Sequence, residues 1–534
     1  MIRKSTVFLS ATSGILLCLP WVFTYLGWTL FVAFVPLLVV EEQLITKKSK
    51  ESIHLFFLLS FPAFLIWNLF STWWIGYVSA VGMLLIVFVN SLLMTFIWCL
   101  RHLIRLQLGT VSSYFSLLAF WLTFEYLHHN WSMQWPWLTL GNGLAGLVEI
   151  IQWYEFTGVL GGSLWILFVN IFAFLVVRSV SAKAFVHSVK LTGYAIAFII
   201  IPIGLSLFRY SSYEESGSKL DVLVLQPNID PYTEKFSGIS NEKQVEKLVW
   251  LTASVNIDSV DIIVAPETAL PEMWEDSVAD KHSTIQSLSE IFRRNPEVSI
   301  IAGAMTNRKF RIGEPISATA RQSADGGFYF DVFNSALLID STLEIQLRHK
   351  SILVSGVESM PFQKYFSFLK KYSLQIGGIS GSLGAAEAPE VFTTKNNLKI
   401  GPVICFESAF GEHCSKLVKK GANLLVVITN DGWWKGSAGS WQHFSFSRLR
   451  AIETRRSIAR SANTGISGFI NQRGDVLKKT KSNSMVALPS SVRLNDRITF
   501  YAMNGDWIGK ISAVLSGLIL FFAFWDRLKK SIFR

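Results

Sequence analysis

Long apolar stretches dominate about the first two hundred residues, whereas short apolar runs separated by polar segments occupy most of the remaining chain. Stretches of this length predict membrane-spanning helices. Eight are predicted, and they lie near 6–19, 29–40, 53–72, 79–100, 113–128, 162–177, 191–208 and 507–525. The first stretch resembles a signal peptide, but no small-residue cleavage site follows it, so we expect it to be retained as a helix.

Between the last two predicted spans the hydrophobic period changes. The short apolar, β-branched runs are "DVLVLQ" (221–226), "DIIVAP" (261–266), "SIIAGA" (299–304), "LKIGPVIC" (398–405) and "NLLVVIT" (423–429). Helical patterns lie near 241–256, 279–294 and 441–457. Continuous apolar strands with helices between them are typical of an α/β domain whose sheets are covered. We therefore predict a helical membrane domain of seven spans over 1–210, an α/β domain over 219–496, and a last span with a tail over 505–534.

The distribution of charge agrees with this division and predicts an orientation. The chain is 51% hydrophobic and 16% charged, against about 25% charged in an average soluble domain. Lys and Arg precede the first span and follow the second, fourth, sixth and last, whereas loops 73–78 and 129–161 contain neither. The positive-inside rule then places both termini in the cytoplasm and the α/β domain outside, in the periplasm of a Gram-negative bacterium. The net charge of +11 reflects this topology, and nucleic-acid binding is not predicted.

The outer loop "HHNWSMQWPWLTLGNGL" (128–144) is rich in tryptophan. Two interpretations are open: an aromatic belt at the membrane interface, or a lining that admits lipid to an outward-facing site. His128 and His129 are adjacent, a spacing that does not predict a metal pair. We predict no metal or organic cofactor for the chain, and its four cysteines do not form a disulfide framework.

Three residues at predicted strand ends could carry chemistry. Cys405 ends an apolar run and precedes "FESAFGEH", and a thiol at a strand-to-helix junction lies near N–H groups that favour the thiolate. Glu267 follows the run that ends at Pro266, and Lys350 follows the predicted strand "STLEIQLRH". Taken singly, each has an ordinary alternative: a buried structural cysteine, a helix cap or surface acid, and an exposed lysine.

In combination, the three residues supply the parts of an acyl-transfer site. The carboxylate takes the proton of the thiol, and the ammonium group stabilises the tetrahedral oxyanion. Glu, Lys and Cys occur in this order, 83 and 55 residues apart, and each follows a strand. This arrangement resembles the catalytic triad of the nitrilase superfamily.

Further motifs resemble one family of that superfamily, the bacterial apolipoprotein N-acyltransferases, in which a nitrilase-like domain precedes the last helix of a membrane domain. The matching segments are "LQPNIDP" (225–231), "PETALP" (266–271), "CFE" (405–407), "NDGWWKGSAGSWQHF" (430–444) and "RSANTGISGFI" (460–470), together with "WPW" in the outer loop. The resemblance implies an αββα sandwich for the soluble domain and a monomer in the bacterial inner membrane.

The resemblance also implies a ping-pong reaction through a thioacyl enzyme, with a phospholipid as acyl donor and the N-terminal S-diacylglyceryl-cysteine of an apolipoprotein as acceptor. In it, Glu267 is the general base, Cys405 the nucleophile and Lys350 the oxyanion stabiliser. Four residues are implied in supporting roles: Glu358, Phe406, Glu407 and Trp433. We expect an apolar lid to exclude water from the thioester, formed by 366–374 or by Trp433–Trp434.

The chain departs from the family pattern at two places. Phe406 stands where the family usually has Tyr, and the segment after Lys350 lacks the family's P-F-G core, although Glu358 keeps its position. Two other functions are open: a membrane-anchored nitrilase-type amidase, which leaves the spans unexplained, and a catalytically silent lipid-binding scaffold. A papain-like site that pairs the cysteine with His413 or His443 is a weaker alternative.

Overall fold

The computed structural model describes residues 4–46, 52–235, 238–276, 283–360 and 382–532. The chain divides into two compact units. The helical unit comprises Met1–Trp131, Trp135–Tyr213 and Asn504–Arg534, and the α/β unit comprises Ser132–Gln134 and Glu214–Met503. The expected lid segment 366–374 lies outside the described residues.

Seven α-helices of the helical unit come before the α/β unit in the chain. They are α1 (Lys4–Val22), α2 (Val35–Thr46), α3 (Ser52–Thr72), α4 (Ala80–Leu108), α5 (Thr110–Asn130), α6 (Tyr154–Ser181) and α7 (Phe185–Ser212). The 3₁₀ segment Thr24–Phe31 precedes α2, and the 3₁₀ segment Trp73–Tyr77 follows α3. One long helix, Trp507–Ile532, comes after the α/β unit.

Seven of the predicted spans coincide with segments that are long and apolar enough to cross a membrane. These segments are Lys4–Val22, Thr24–Ile45, Ile53–Tyr77, Ala80–Leu108, Tyr154–Ser181, Phe185–Ser212 and Trp507–Ile532. The remaining predicted span, 113–128, is helical as part of α5 but is not among these segments. Apolar helices of this length and number are those of a multi-pass membrane protein.

Residues 136–144 of the tryptophan-rich loop after α5 are buried and belong to the helical unit. Trp137 is buried, and its ring centroid lies 5.1 Å from that of Trp74. Its carbonyl oxygen accepts a hydrogen bond of 3.1 Å from Trp21 Nε1. Glu125 of α5 accepts a 2.8 Å bond from the Leu140 N–H, which holds the loop against the helix. Trp137 is therefore part of the helical core and not of an interfacial belt.

The α/β unit contains two sheets. Its strands are β1 (Lys219–Gln226), β2 (Ile262–Val264), β3 (Leu270–Trp274), β4 (Ser299–Lys309), β5 (Arg321–Gln322), β6 (Tyr329–Ile339), β7 (Ile345–His349), β8 (Phe392–Thr393), β9 (Lys399–Ile404), β10 (Leu424–Thr429), β11 (Ile458–Ala462), β12 (Gly468–Ile470), β13 (Val476–Lys479) and β14 (Val486–Arg493). The first sheet has the order β14-β1-β2-β4-β6-β5, with β3 paired to β4 and β7 to β6. The second has the order β13-β12-β11-β10-β9-β8.

Helices cover the outer faces of both sheets. The remaining helices are α8 (Asn241–Ala253), α9 (Ser283–Arg294), α10 (Gly411–Lys419), α11 (Ala438–Thr454), α12 (Phe500–Asn504) and the long C-terminal α13 (Trp507–Ile532). One buried cluster joins the two sheets face to face, a second packs α8 and α9 on the first sheet, and a third packs α10 and α11 on the second. The predicted αββα sandwich is confirmed, and the five apolar runs are β1, β2, β4, β9 and β10.

Candidate active site

Three strand ends bring Glu267, Lys350 and Cys405 together. Glu267 follows β2, Lys350 follows β7, and Cys405 follows β9 as the first residue of a 3₁₀ turn, Cys405–Ala409. Glu267 and Lys350 are buried, whereas Cys405 keeps partial exposure. The sequence therefore identified three side chains that the fold gathers at one place.

Lys350 is the central charge of the site. Its Nζ donates to Glu358 Oε1 at 2.9 Å and to Glu267 Oε1 at 3.4 Å. Burial alone lowers the pKa of Lys350, but the charges of Glu358 and Glu267 outweigh it and raise the pKa above its ordinary value. The ammonium group is therefore a fixed cation at neutral pH, as an oxyanion stabiliser requires.

Glu358 reaches this cation although its sequence context departs from the family pattern. A tight turn with Gly356 at φ +83° lets the Glu358 N–H donate to the Val354 carbonyl at 2.8 Å. Glu358 Oε2 in turn accepts from the Val354 N–H at 2.8 Å. The side chain is buried, so Glu358 is not the surface acid that a loop position would predict.

Both oxygens of Glu267 are engaged. Oε1 accepts from Asn334 Nδ2 at 2.7 Å, and Oε2 accepts from the Asn430 N–H at 2.9 Å. The following residue, Thr268, has a φ of +51°, which turns the chain sharply after the carboxylate. The sequence did not indicate Asn334 or Asn430 as partners of Glu267, because they come from β6 and from the end of β10.

Cys405 also adopts a left-handed backbone conformation, with a φ of +52°. Burial raises the pKa of its thiol, and the charge of Glu267 raises it further, while the charge of Lys350 and a hydrogen bond with the Thr429 side chain oppose the rise. Ile404 pairs with Ile428 in the parallel register of β9 and β10, which places Thr429 beside Cys405. The thiol is thus protonated at rest and needs a base before it can attack.

Glu407 ties the Lys350 and Cys405 segments together. Its Oε1 accepts from the Ser351 N–H at 2.7 Å and its Oε2 from the Ile404 N–H at 2.8 Å. His413 Nε2 lies 3.4 Å from the same Oε2. Burial alone raises the pKa of Glu407, but His413 and the backbone donors lower it to about 2. The ionised carboxylate therefore clamps the residue after Lys350 to the residue before Cys405.

A second buried network lies behind the nucleophile. Asp431 Oδ1 accepts from Thr429 Oγ1 at 2.7 Å and lies 2.8 Å from His443 Nδ1, while Oδ2 accepts from Arg460 Nη2 at 2.8 Å. Burial raises the pKa of Asp431, but Arg460 and these hydrogen bonds lower it to about 2. Ser408 Oγ donates to the Cys405 carbonyl at 2.8 Å and lies 2.8 Å from His443 Nε2.

This network bears on the papain-like alternative. Burial and the charge of Arg460 lower the pKa of His443 below its ordinary value, so the ring is neutral. Its Nε2 lies 3.1 Å from the carbonyl oxygen of Cys405, and not at the sulfur. His413 contacts Glu407 and Ser351. In the described contacts, neither histidine hydrogen bonds to Cys405 Sγ.

The two remaining predicted residues are aromatic. Phe406 is buried, and its ring packs edge-on against that of Phe410, with 5.1 Å between the ring centroids. The Trp433 ring lies 5.3 Å from that of Tyr232, whose hydroxyl donates to the Trp433 carbonyl at 2.8 Å. Trp433 therefore packs against the segment that follows β1.

The close approach of Gly303 to the Glu267 backbone yields a first prediction. A Cβ atom at Gly303 would lie 2.5 Å from Thr268 N and 2.7 Å from Glu267 Cα. Gly303→Ala should displace the carboxylate and slow acylation of Cys405 about 10²-fold, as measured by intact-mass spectrometry over time. Gly204→Ala, where nothing lies within 4 Å, is the control. Equal rates in both variants would show that the position of Glu267 does not limit acylation.

Comparisons with known proteins agree with this geometry. Residues 224–494 match the carbon–nitrogen hydrolase family, and residues 13–172 match the N-terminal domain of apolipoprotein N-acyltransferases. The apolipoprotein N-acyltransferase of Chlorobaculum tepidum is 29% identical over 531 residues, covering 96% of this chain and 95% of the relative. That of Geobacter metallireducens is 27% identical over 519 residues, covering 95% and 92%.

Among solved structures, an amidase from Nesterenkonia sp. matches with a TM-score of 0.36 and 13% identity, covering 54% of this chain and 94% of the amidase. The match to the carbon–nitrogen hydrolase family spans half of the chain and contains Glu267, Lys350 and Cys405. The Chlorobaculum tepidum relative aligns with 96% of this chain, which includes both family regions. The chain belongs to the carbon–nitrogen hydrolases and, within them, to the apolipoprotein N-acyltransferase family.

Proposed function

We propose that this protein moves an acyl chain from a membrane phospholipid to the N-terminal S-diacylglyceryl-cysteine of apolipoproteins, through a thioester on Cys405. The observation that carries the proposal is the cluster of Glu267, Lys350 and Cys405 in a chain whose described residues include seven helices long and apolar enough to cross a membrane. Relatives named apolipoprotein N-acyltransferase match it over nearly its whole length. An amidase acting on small soluble amides has no need of the helices.

In the first half-reaction, Glu267 takes the thiol proton and Cys405 Sγ attacks the sn-1 ester carbonyl of the phospholipid. The Lys350 ammonium group and the Phe406 N–H stabilise the oxyanion. The ester C–O bond then breaks, and Glu267 returns the proton to the departing lysophospholipid alkoxide. Because Phe406 would act through its backbone N–H, the exchange of Tyr for Phe leaves this step intact.

In the second half-reaction, the neutral α-amino group of the acceptor attacks the thioester. Glu267 takes a proton from the attacking nitrogen, the C–S bond breaks as the amide forms, and Glu267 passes that proton to the departing sulfur, which restores the thiol of Cys405 and the carboxylate. We place the site at the periplasmic face of the inner membrane, with both termini in the cytoplasm, because the Lys and Arg residues lie in the alternate loops. We further infer that one protomer is sufficient, since all of these residues come from one chain.

The test is intact-mass spectrometry of the purified protein after incubation with phosphatidylethanolamine vesicles and no acceptor. We expect a mass gain of one acyl chain that hydroxylamine removes, absent in Cys405→Ala and present in Cys414→Ala, which changes a buried cysteine on α10. A diacylated lipopeptide should then discharge the adduct. No adduct on folded protein would refute the phospholipid donor, and discharge by water or small amides would favour an amidase.

A further inference from the structure

Asn334 is a buried residue of β6 that hydrogen bonds to the side chains of Glu267 and Glu358 and to the backbone of Lys350. It is 2% exposed. Its Nδ2 lies 2.7 Å from Glu267 Oε1 and 2.9 Å from Glu358 Oε1. Its backbone carbonyl accepts a 2.8 Å hydrogen bond from the Lys350 N–H. One residue therefore fixes the position of both carboxylates and of the cation between them.

The hydrogen-bonding capacity of the amide matches this task. An amide NH₂ group carries two hydrogens, and here each faces a different carboxylate oxygen. If the side-chain amide were flipped, Oδ1 would face Glu267 Oε1 and Glu358 Oε1. All three oxygens are acceptors, and no hydrogen would lie between them. The contacts thereby assign the rotamer: Nδ2 faces the carboxylates, and Oδ1 is buried with no hydrogen-bond partner among the described residues.

The proximity of two carboxylates explains why a neutral double donor is placed here. Glu267 and Glu358 both contact the Lys350 ammonium group, and the buried Lys235, whose Nζ lies 3.4 Å from the Glu267 carbonyl oxygen, also interacts with Glu267. Two carboxylates held close together in a buried site tend to retain a proton between them, because like charges disfavour a second ionisation. A retained proton would occupy the oxygen that must receive the proton of Cys405.

We infer that Asn334 is a positioning residue that keeps both carboxylates ionised and apart, so that Glu267 is free to accept the thiol proton. The inference rests on the proposed roles of Glu267 and Cys405. It adds a residue of β6 to a site whose other members follow strand ends. Asn334 acts by positioning Glu267 and Lys350. It neither accepts nor donates the proton that passes from Cys405 Sγ to Glu267.

The experiment measures the rate of Cys405 acylation by a p-nitrophenyl ester from pH 4 to 9, followed as the release of p-nitrophenolate in a single turnover. This donor reports on the proton transfer whether or not a phospholipid is the natural donor. Asn334→Asp is nearly isosteric and adds a third carboxylate, and Asn334→Leu removes both donors without adding a charge. Asn295→Leu is the control, since its Nδ2 also donates to two acceptors, the carbonyls of Ile257 and Val260.

We expect the rising limb of the pH–rate profile to move to higher pH in both Asn334 variants, and further in Asn334→Asp. At pH 7 the maximal acylation rate should fall about 10- to 100-fold, the effect of losing a hydrogen bond to a charged group, with little change in half-saturation. Asn295→Leu should lower thermal stability and leave the limb in place.

A folded Asn334→Asp variant with an unmoved limb would overturn the inference. If Asn334→Leu does not fold, Asn334→Asp alone decides. Wild-type protein that reacts with the p-nitrophenyl ester but gains no acyl chain from phosphatidylethanolamine would instead contradict the proposed function and leave the test of Asn334 valid. The two failures are therefore distinguishable.

Discussion

Lys350→Met is expected to slow acylation of Cys405 by at least about 10³-fold, because it removes the fixed cation from the forming oxyanion. Methionine retains most of the length of lysine, so the loss is mainly one of charge. Time-resolved intact-mass spectrometry of the acyl adduct measures the rate. Lys399→Met, which changes an exposed lysine at the start of β9, is the control and should react at the wild-type rate. If the acylation rate of Lys350→Met is within tenfold of the wild-type rate, the oxyanion is stabilised by backbone donors and not by Lys350.

The same substitution should destabilise the α/β unit. Without the ammonium group, Glu267 and Glu358 are left buried without the cation that both contact, and breaking a buried ion pair in this way costs about 3–5 kcal/mol. Because the pKa of Lys350 is raised, its stabilisation is fully present below the ordinary value of 10.5 and is lost only as the pH rises above it. Thermal unfolding in detergent at pH 7 measures the deficit, and a variant as stable as wild type would contradict it.

The strand-end residues could be predicted because their positions follow from a local pattern. Apolar runs such as those ending before Glu267 and Cys405 form buried strands, and the residue that follows such a strand lies at a sheet edge. The order of Glu, Lys and Cys along the sequence then restricted the candidate reactions to those of a nitrilase-like triad. The same reasoning identified the two sheets and the helices that cover them.

The partners of these residues could not be predicted in this way, because they depend on which strands become neighbours. Asn334 lies on β6, 67 residues from Glu267, and reads in the sequence as one polar position within an apolar strand. Asp431, His443 and Arg460 fall within motifs that the sequence did flag, but their mutual bonds arise only when β10, α11 and β11 pack. Nothing in local periodicity encodes that contact.

The helical unit shows the same limit. Hydropathy predicted a span over 113–128, and the structure has a helix there whose polar side chains reduce its apolar character. Glu125 accepts hydrogen bonds from Trp121 Nε1 at 3.0 Å and from the Leu140 N–H at 2.8 Å. A carboxylate that reads as unfavourable for a span is thus used to fix a neighbouring loop, which only the tertiary contacts reveal.

The clamp formed by Glu407 leads to the second prediction with a large expected effect. Replacing Glu407 with Gln removes the charge and puts an NH₂ group where one oxygen now accepts from the Ser351 or the Ile404 N–H. At least one backbone donor loses its acceptor. At pH 7 we expect a loss of about 3 kcal/mol and a thermal midpoint about 5–10 °C lower for the α/β unit, measured in detergent. Glu387→Gln, at an exposed site, should be neutral.

The pH dependence separates this clamp from ordinary packing. The pKa of Glu407 is about 2 in the folded protein against an ordinary value of 4.5. Because the folded value is depressed, the stabilisation is fully present above pH 4.5 and is lost as the pH falls towards 2, about 3 kcal/mol in all. Glu407→Gln should therefore flatten the acid limb of the stability profile between these values. A variant with a lower midpoint but an unchanged acid limb would show that Glu407 acts by packing alone.

The clamp also links stability to catalysis. Glu407 binds the N–H that follows Lys350 and the N–H that precedes Cys405, so its loss should widen the distance between cation and nucleophile. We expect acylation to slow about tenfold or more in Glu407→Gln at a temperature where the variant is fully folded. Lys350→Met, in contrast, should lose acylation without moving the acid limb that Glu407 produces. Both variants should slow acylation, but only Glu407→Gln should change the acid limb. This difference would distinguish the charge of Lys350, which stabilises the oxyanion, from the carboxylate of Glu407, which holds the Lys350 segment in place.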